Sequence, residues 1–116
     1  MSIALSPSRA LHLWHGATLK LVQSDVHDLT LRQLCILLHI YLVPPPHTVR
    51  GLAATLGVTK PVITRALDSM RSLGLVRRTR DEKDKRNVII QRTVDGALYL
   101  ERLGDIIIAE GRELDL

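Results

Sequence analysis

The amino-acid sequence predicts a mainly α-helical fold that contains a small β-hairpin. Apolar residues recur at helical spacing through most of the chain, with capping residues and glycines at the ends of these segments. After Gly74 the pattern changes to two short β-type segments that flank a charged turn. The 116 residues fit one compact domain, and only three are aromatic, so its core must be aliphatic.

The segment 31–42 predicts a buried helix. Thr30 and Gln33 have the spacing of a capping box, in which each side chain bonds to the backbone N–H of the other residue. The helix is apolar on nearly all sides, so we expect it to be buried from several directions. Cys35 is therefore expected to be a packed core thiol rather than a redox switch.

Two shorter helices joined by a tight turn are predicted in the middle of the chain. Thr48 can cap a helix over 49–56, and Thr59 can cap another over 60–73. Between them Gly57 supplies the backbone freedom that a short turn needs. This arrangement is a helix-turn-helix, whose second helix can enter the major groove of DNA.

The second of these helices is amphipathic. Its apolar arc is expected to pack inward and consists of Val62, Ile63, Ala66, Leu67, Met70 and Leu73. The opposite face offers hydrogen-bond donors and consists mainly of Lys60, Thr64, Arg65, Asp68, Arg71 and Ser72. An ordinary surface helix would show the same pattern, so this segment alone does not establish DNA binding.

A protruding hairpin follows the amphipathic helix. Residues 75–80 and 87–91 are β-type, and the turn over 81–86 alternates acidic and basic side chains. Such a turn next to a helix-turn-helix is typical of a wing, which can place a cation in the adjacent minor groove. We expect Asp81 or Asp84 to pair with Arg86 and stiffen the loop.

The two terminal helices carry more apolar surface than one small domain should expose. They are predicted over 6–24, with Ser6 as the cap and Pro7 in the first turn, and over 93–112, with Thr93 as the cap. A twofold dimer through these helices would cover that surface. We therefore interpret residues 1–116 as one domain with two dimerisation helices and a DNA-binding lobe over 48–92.

The charge of the chain is concentrated in its middle. Residues 59–92 contain ten basic and four acidic groups, a net charge of +6, whereas the remainder has six basic and eight acidic groups, a net charge of −2. A basic segment of this kind is expected of a surface that binds a polyanion, although a solvated basic face without a partner would look the same.

Several short motifs in this region together resemble the MarR family of winged helix-turn-helix regulators. They are the runs Thr48–Ala53 and Leu56–Asp68, the Leu73-Gly74-Leu75-Val76-Arg77-Arg78 segment, the Asp81-x-Lys83-Asp84-x-Arg86 turn, and the Thr93-Val94-Asp95-Gly96 and Leu29-Thr30-Leu31-Arg32-Gln33 segments. The resemblance covers roughly residues 29–100. It implies major-groove contacts from Thr59, Lys60, Pro61, Thr64 and Arg65, and wing contacts from Lys83 and Arg86. With the basic residues around them, the predicted DNA-binding set is Thr59, Lys60, Pro61, Thr64, Arg65, Arg71, Arg80, Lys83, Lys85 and Arg86.

The sequence thus predicts a cytoplasmic, sequence-specific regulator that binds a pseudo-palindromic duplex site as a homodimer, acting as a repressor. The alternative is a winged-helix protein–protein module or an accessory factor in a larger complex. No cofactor or catalytic motif is recognised, so an enzyme is not expected. The resemblance to the MarR family also implies a small-molecule effector, for which the sequence itself shows no pocket. A single cysteine excludes an internal disulfide, and no apolar run is long enough to span a membrane. The histidines have no further ligands at the spacing of a metal site. We expect His39 to be half-buried and the other histidines to lie on the surface.

Overall fold

The computed structural model describes residues 5–115, which form five α-helices and a three-stranded antiparallel sheet. Along the chain these are α1 (Pro7–Gln23), α2 (Leu31–Leu42), β1 (His47–Thr48), α3 (Val49–Leu56), α4 (Lys60–Ser72), β2 (Val76–Arg80), β3 (Val88–Arg92) and α5 (Val94–Glu113). The strands lie in the order β1-β3-β2. The predicted fold class is confirmed, and the helix boundaries differ from the predicted ones by only a few residues.

The chain divides into two compact units. One runs from Leu29 to Leu98, and the other comprises the residues up to Asp28 and those from Tyr99 onward. The core of the first unit draws on α2, α3 and α4, and its largest fully buried side chains are Ile36, Leu37, Ile40, Leu52, Ile63 and Met70. This core is aliphatic, as the composition predicts, and it fixes the helix-turn-helix against the helix that precedes it.

Helix α2 begins with the predicted capping box but is buried on one side only. The Gln33 N–H donates to the Thr30 hydroxyl over 3.1 Å, and the Thr30 N–H donates to Gln33 Oε1 over 2.8 Å. Leu31 is 76% exposed, and Cys35 is exposed as well. The prediction of a packed core thiol was therefore wrong. Two residues turn a helix by about 200°, so Cys35 lies nearly opposite the buried Leu37.

The short strand β1 has no counterpart in the sequence prediction. His47 pairs with Ile90 of β3, and its side chain is only 5% exposed. The ring Nε2 lies 2.9 Å from the Val43 carbonyl oxygen, and the ring meets that of His39 edge to face at 5.4 Å. The prediction that His47 lies on the surface was wrong, because a two-residue strand is too short to produce a periodic pattern.

In the second unit, α1 contacts the part of α5 that belongs to it through a buried carboxylate. Glu110 is 7% exposed, and its Oε1 lies 2.6 Å from Lys20 Nζ. The carboxylate occupies the space that a Cβ would fill at Gly16, so this glycine allows the close approach. The Tyr99 hydroxyl donates to the His27 carbonyl oxygen over 3.0 Å. Burial, assisted by the nearby negative charge of Asp28, raises the pKa of Tyr99 above its ordinary value.

Both terminal helices expose large apolar side chains in the single chain. Leu11 is 69% exposed and Val22 is 66% exposed on α1, and Trp14 and Ile108 are also exposed. This agrees with the apolar surplus expected from the sequence, while the dimer that would cover it stays a prediction. None of the described helices combines the length and apolar character needed to cross a membrane.

Candidate nucleic-acid interface

The turn between α3 and α4 sets the geometry of the helix-turn-helix. The Thr48 hydroxyl accepts from the Gly51 N–H over 2.9 Å and caps α3, as predicted. Gly57 ends this helix with a φ of 68°, in the left-handed region that favours glycine. The Val58 N–H then donates to the Ala53 carbonyl oxygen over 3.1 Å, which closes the turn. The chain therefore leaves α3 in a fixed direction and enters α4 at Lys60.

Helix α4 presents a buried face and an exposed face. Ile63, Leu67 and Met70, spaced four and three residues apart, are each at most 3% exposed. The other three residues of the predicted apolar arc, Val62, Ala66 and Leu73, are only half-buried. Since the inner face is anchored in the core, the outer face of α4 is held at the surface in one orientation.

The predicted major-groove residues lie at the accessible N-terminal end of α4. Thr59, Lys60, Pro61 and Arg65 are exposed and Thr64 is half-buried. Thr59 occupies the N-cap position by its backbone, but its side chain makes no capping hydrogen bond, contrary to the sequence prediction. Its hydroxyl is thus not committed to the helix end. The Arg65 Nε donates to the Pro61 carbonyl oxygen over 3.4 Å, a long bond that a better acceptor can replace.

The acidic residues of the wing organise its backbone. Strands β2 and β3 pair from Val76 with Arg92 to Arg80 with Val88, so the loop between them protrudes beyond the sheet. The hydrogen bonds made by the two aspartates of the wing lie within this loop. Asp81 Oδ1 accepts from the Lys83 N–H over 3.0 Å, and Asp84 Oδ1 accepts from the Arg86 N–H over 3.1 Å.

The same Asp84 oxygen lies 3.3 Å from Arg86 Nε, so the expected ion pair is present. Arg86 remains 87% exposed despite this contact. Each aspartate thus forms a turn around the cation that follows it, and the basic side chains of the loop are left facing solvent.

Helix α4 and the wing line one basic groove. This groove has a volume of about 440 Å³ and is lined by Arg71, Arg78, Thr79, Arg80, Lys85, Arg86 and Val88. Four of the predicted DNA-binding residues, Arg71, Arg80, Lys85 and Arg86, are brought together there. Lys83 and the residues of the α4 N-terminus do not line the groove. The candidate interface therefore consists of the outer face of α4 and this groove, which we call the wing groove.

Two further residues of this region, Asp68 and Arg78, were not in the predicted DNA-binding set. Asp68 Oδ1 lies 3.4 Å from Arg71 Nη2 and 3.3 Å from Arg78 Nη1. Arg78 joins the site through this contact, although it lies ten residues along the chain from Asp68. Pairing between a helix and a strand has no signature in the spacing of residues, so sequence reasoning could not find it.

A second groove lies beside α4, at the start of α2. It has a volume of about 370 Å³, and its lining includes Arg32 and Arg65. Arg32 was not among the predicted contacts because it belongs to the capping segment of α2 rather than to the helix-turn-helix. Its position adds a second cation beside a predicted base-contacting residue.

Arg92 contributes to the net charge of the segment but has a structural position. Its Nε donates to the Ile40 carbonyl oxygen over 2.9 Å, and its Nη2 donates to the Val43 carbonyl oxygen over 3.2 Å. The guanidinium also lies 5.7 Å from the centre of the Tyr41 ring. Arg92 thus satisfies carbonyl groups at the C-terminal end of α2. The Arg92 guanidinium is therefore held against α2 and is not part of the candidate interface.

The sequence matches the model of the MarR family over residues 27–87. The chain belongs to the MarR family. A curated relative, the organic hydroperoxide resistance transcriptional regulator of Bacillus subtilis (strain 168), is 39% identical over 59 residues, which are 51% of this chain and 40% of the relative. The chain thus matches about two fifths of the length of that MarR-type relative.

Solved structures agree with the MarR fold. A mutant of S. aureus MepR superposes with a TM-score of 0.76 at 23% identity, covering 96% of this chain and 83% of that one. The S. aureus MepR–DNA complex superposes with a TM-score of 0.73 at 25% identity, covering 86% and 79%. The resemblance to the MarR family inferred from the sequence motifs is confirmed.

Proposed function

We propose that this MarR-family protein is a sequence-specific double-stranded DNA-binding regulator that represses transcription from a pseudo-palindromic site as a homodimer. The observation that carries the proposal is the wing groove, in which α4 and the wing together present five basic side chains. A cationic surface with a protruding helix beside it suits a duplex, because phosphates supply the affinity and the major groove supplies the sequence.

The relatives support this role. The B. subtilis relative is by name a transcriptional regulator, and one matching structure is a MepR–DNA complex. Family membership likewise favours a regulator over an enzyme. Repression requires no further surface, since a dimer bound across a promoter excludes polymerase by occupancy. The cytoplasmic location and a small-molecule effector remain predictions from the sequence and its resemblance.

Each part of the interface has its own proposed task. Arg65 and Thr64 read base edges from α4, and Thr59, Lys60 and Pro61 lie against phosphate or base edges at its start. Arg71, Arg80, Lys85 and Arg86 bind phosphates along the wing groove, and Lys83 at the wing tip enters the minor groove. In a dimer the two α4 helices would meet successive major grooves, about 34 Å apart.

Selection of bound sites from random duplex DNA tests the proposal directly. We expect an enriched motif made of two inverted half-sites about one helical turn apart. Enrichment of no motif, with binding that falls equally for every duplex as salt rises, would contradict sequence-specific regulation. A single half-site would contradict the dimer.

The residue assignments are tested on the selected site. Arg65→Ala should weaken binding to it by about 1–3 kcal/mol and relax the preference at one position of each half-site. Lys83→Ala should weaken binding to all duplexes and reduce the salt slope by about one per lost cationic contact. Arg102→Ala is the matched control, because Arg102 is an exposed arginine of α5 outside the interface. Equal losses for Arg65→Ala and Arg102→Ala would refute the role of Arg65.

The alternative, a module that binds another protein, draws on the exposed apolar side chains of α1 and α5, among them Leu11 and Trp14. The same surface suits a second copy of the chain. Sedimentation of the purified protein separates the two: a stable dimer favours the regulator, and a monomer that fails to bind duplex DNA favours the protein–protein module.

A further inference from the structure

We propose that Asp68 is a specificity-determining residue of the candidate DNA-binding surface. Its carboxylate holds Arg71 and Arg78 and so limits their binding to phosphates, which are present on duplexes of any sequence. The inference rests on the proposed function and deepens it. Asp68 is an acidic residue within a basic surface, where a carboxylate would ordinarily be expected only to weaken the binding of a polyanion.

One carboxylate oxygen contacts two guanidinium groups on different elements. Arg71 follows Asp68 by one turn of α4, and its Nη2 lies 3.4 Å from Asp68 Oδ1. Arg78 comes from β2, and its Nη1 lies 3.3 Å from the same oxygen. Both arginines line the wing groove. Asp68 therefore links α4 to the strand that leads into the wing, and it engages two of the five cations of the groove.

These contacts are too exposed to serve mainly for folding. The three side chains are between 40% and 48% exposed, and ion pairs in such positions contribute little to stability. They are well placed to compete with a ligand, since a carboxylate and a phosphate bind guanidinium groups with the same geometry. In the absence of Asp68, two long cationic side chains would be free to follow the backbone of any duplex.

Specific and non-specific binding depend on Asp68 to different extents. Non-specific affinity comes almost entirely from phosphate contacts, so two restrained arginines lower it directly. On a specific site, Arg65 and Thr64 supply base contacts that Asp68 does not touch. The link to Arg78 also keeps the wing in register with α4, so the remaining phosphate contacts form together with the base contacts. Asp68 thus raises the ratio of specific to non-specific affinity.

The test compares the full chain with its Asp68→Asn variant on the selected site and on a scrambled duplex over a series of salt concentrations. We expect the variant to bind the scrambled duplex about tenfold more tightly at moderate salt. Its salt slope on that duplex should steepen by about one for each newly contacted phosphate, up to about four for a dimer. The ratio of specific to non-specific affinity should fall about tenfold.

Two further variants separate this effect from bulk charge and from folding. Asp105→Asn removes the same charge from an exposed position on α5 and should leave slope and ratio unchanged. Asp68→Glu retains the carboxylate and should restore most of the ratio. Equal weakening on both duplexes with an unchanged slope would show that Asp68 only supports the structure. Equal steepening in both asparagine variants would show a bulk charge effect, and either result overturns the proposal. Wild-type protein that binds neither duplex would refute the proposed function itself.

Discussion

Replacement of Gly96 by alanine probes the contact that joins the start of α5 to the rest of its unit. A Cβ at this position would collide with the Tyr41 hydroxyl and with the Leu75 carbonyl oxygen, and it would lie 2.9 Å from Tyr41 Cζ. The Tyr41 hydroxyl is not free to move away, because it accepts from the Thr93 N–H over 2.8 Å. The substitution must therefore displace either backbone or a bonded side chain.

The size of the effect follows from three contributions. Overpacking against a carbonyl group of the backbone costs about 3 kcal/mol, at the upper end of its usual range. Loss of the bond between the Tyr41 hydroxyl and Thr93 costs about 1 kcal/mol more. Alanine in place of glycine within a helix returns about 1 kcal/mol. We expect Gly96→Ala to lower the free energy of unfolding by about 3 kcal/mol, or the midpoint of thermal unfolding by roughly 12 °C.

Gly104 provides a matched control on the same helix. Apart from its immediate neighbours and the backbone of its own helix turn, no heavy atom lies within 4 Å of a Cβ built at this position, so Gly104→Ala should keep the helix propensity gain and stabilise the protein by about 1 kcal/mol. Denaturant and thermal unfolding of both variants measure the difference. The reasoning about the Tyr41 and Leu75 contacts would be refuted if Gly96→Ala were as stable as Gly104→Ala.

Three other predictions concern Arg32, Tyr99 and Cys35, which are outside the predicted DNA-binding set. Arg32→Ala should reduce the salt slope of DNA binding by about one per subunit, and an unchanged slope would exclude a phosphate contact there. Tyr99→Phe should lose less stability than the wild type above about pH 10: the raised pKa keeps the folded phenol neutral while the unfolded one ionises, which favours unfolding as pH rises. Parallel alkaline stability curves would contradict this. Cys35 should react with a thiol reagent in the folded protein, and Cys35→Ser should change stability by less than about 0.5 kcal/mol; protection until unfolding would show that the thiol is covered.

Local signals predicted the helices of this chain well. The capping box at Thr30 and the cap at Thr48 form the predicted hydrogen bonds, and Gly57 provides the predicted turn with a left-handed backbone. These features depend on residues within four positions of each other, so the sequence contains all the information that they need. Thr59 is the exception, since its hydroxyl makes no capping bond although the residue begins the helix.

Contacts between residues far apart in the chain could not be predicted from the sequence. The partner of His47 is a strand that lies about forty residues further along the chain, and the burial of this side chain depends on that pairing. The exposure of Cys35 has a related cause. An apolar helix predicts burial in general. Which of its sides is buried depends on where α3 and α4 pack, and the spacing of residues within α2 does not specify this packing.

The acidic residues of the basic segment show why a charge count describes this surface poorly. Three of the four acidic residues over 59–92 make contacts that orient a neighbour. Asp81 and Asp84 accept backbone N–H groups and form the turns of the wing, and Asp68 holds two arginines beside it. Counted as charges, they reduce the attraction for a polyanion. In the structure they determine where the cations lie, and a duplex responds to the spacing of cations as well as to their number. Neutral replacements at these positions should therefore strengthen general attraction for DNA while weakening discrimination between sequences.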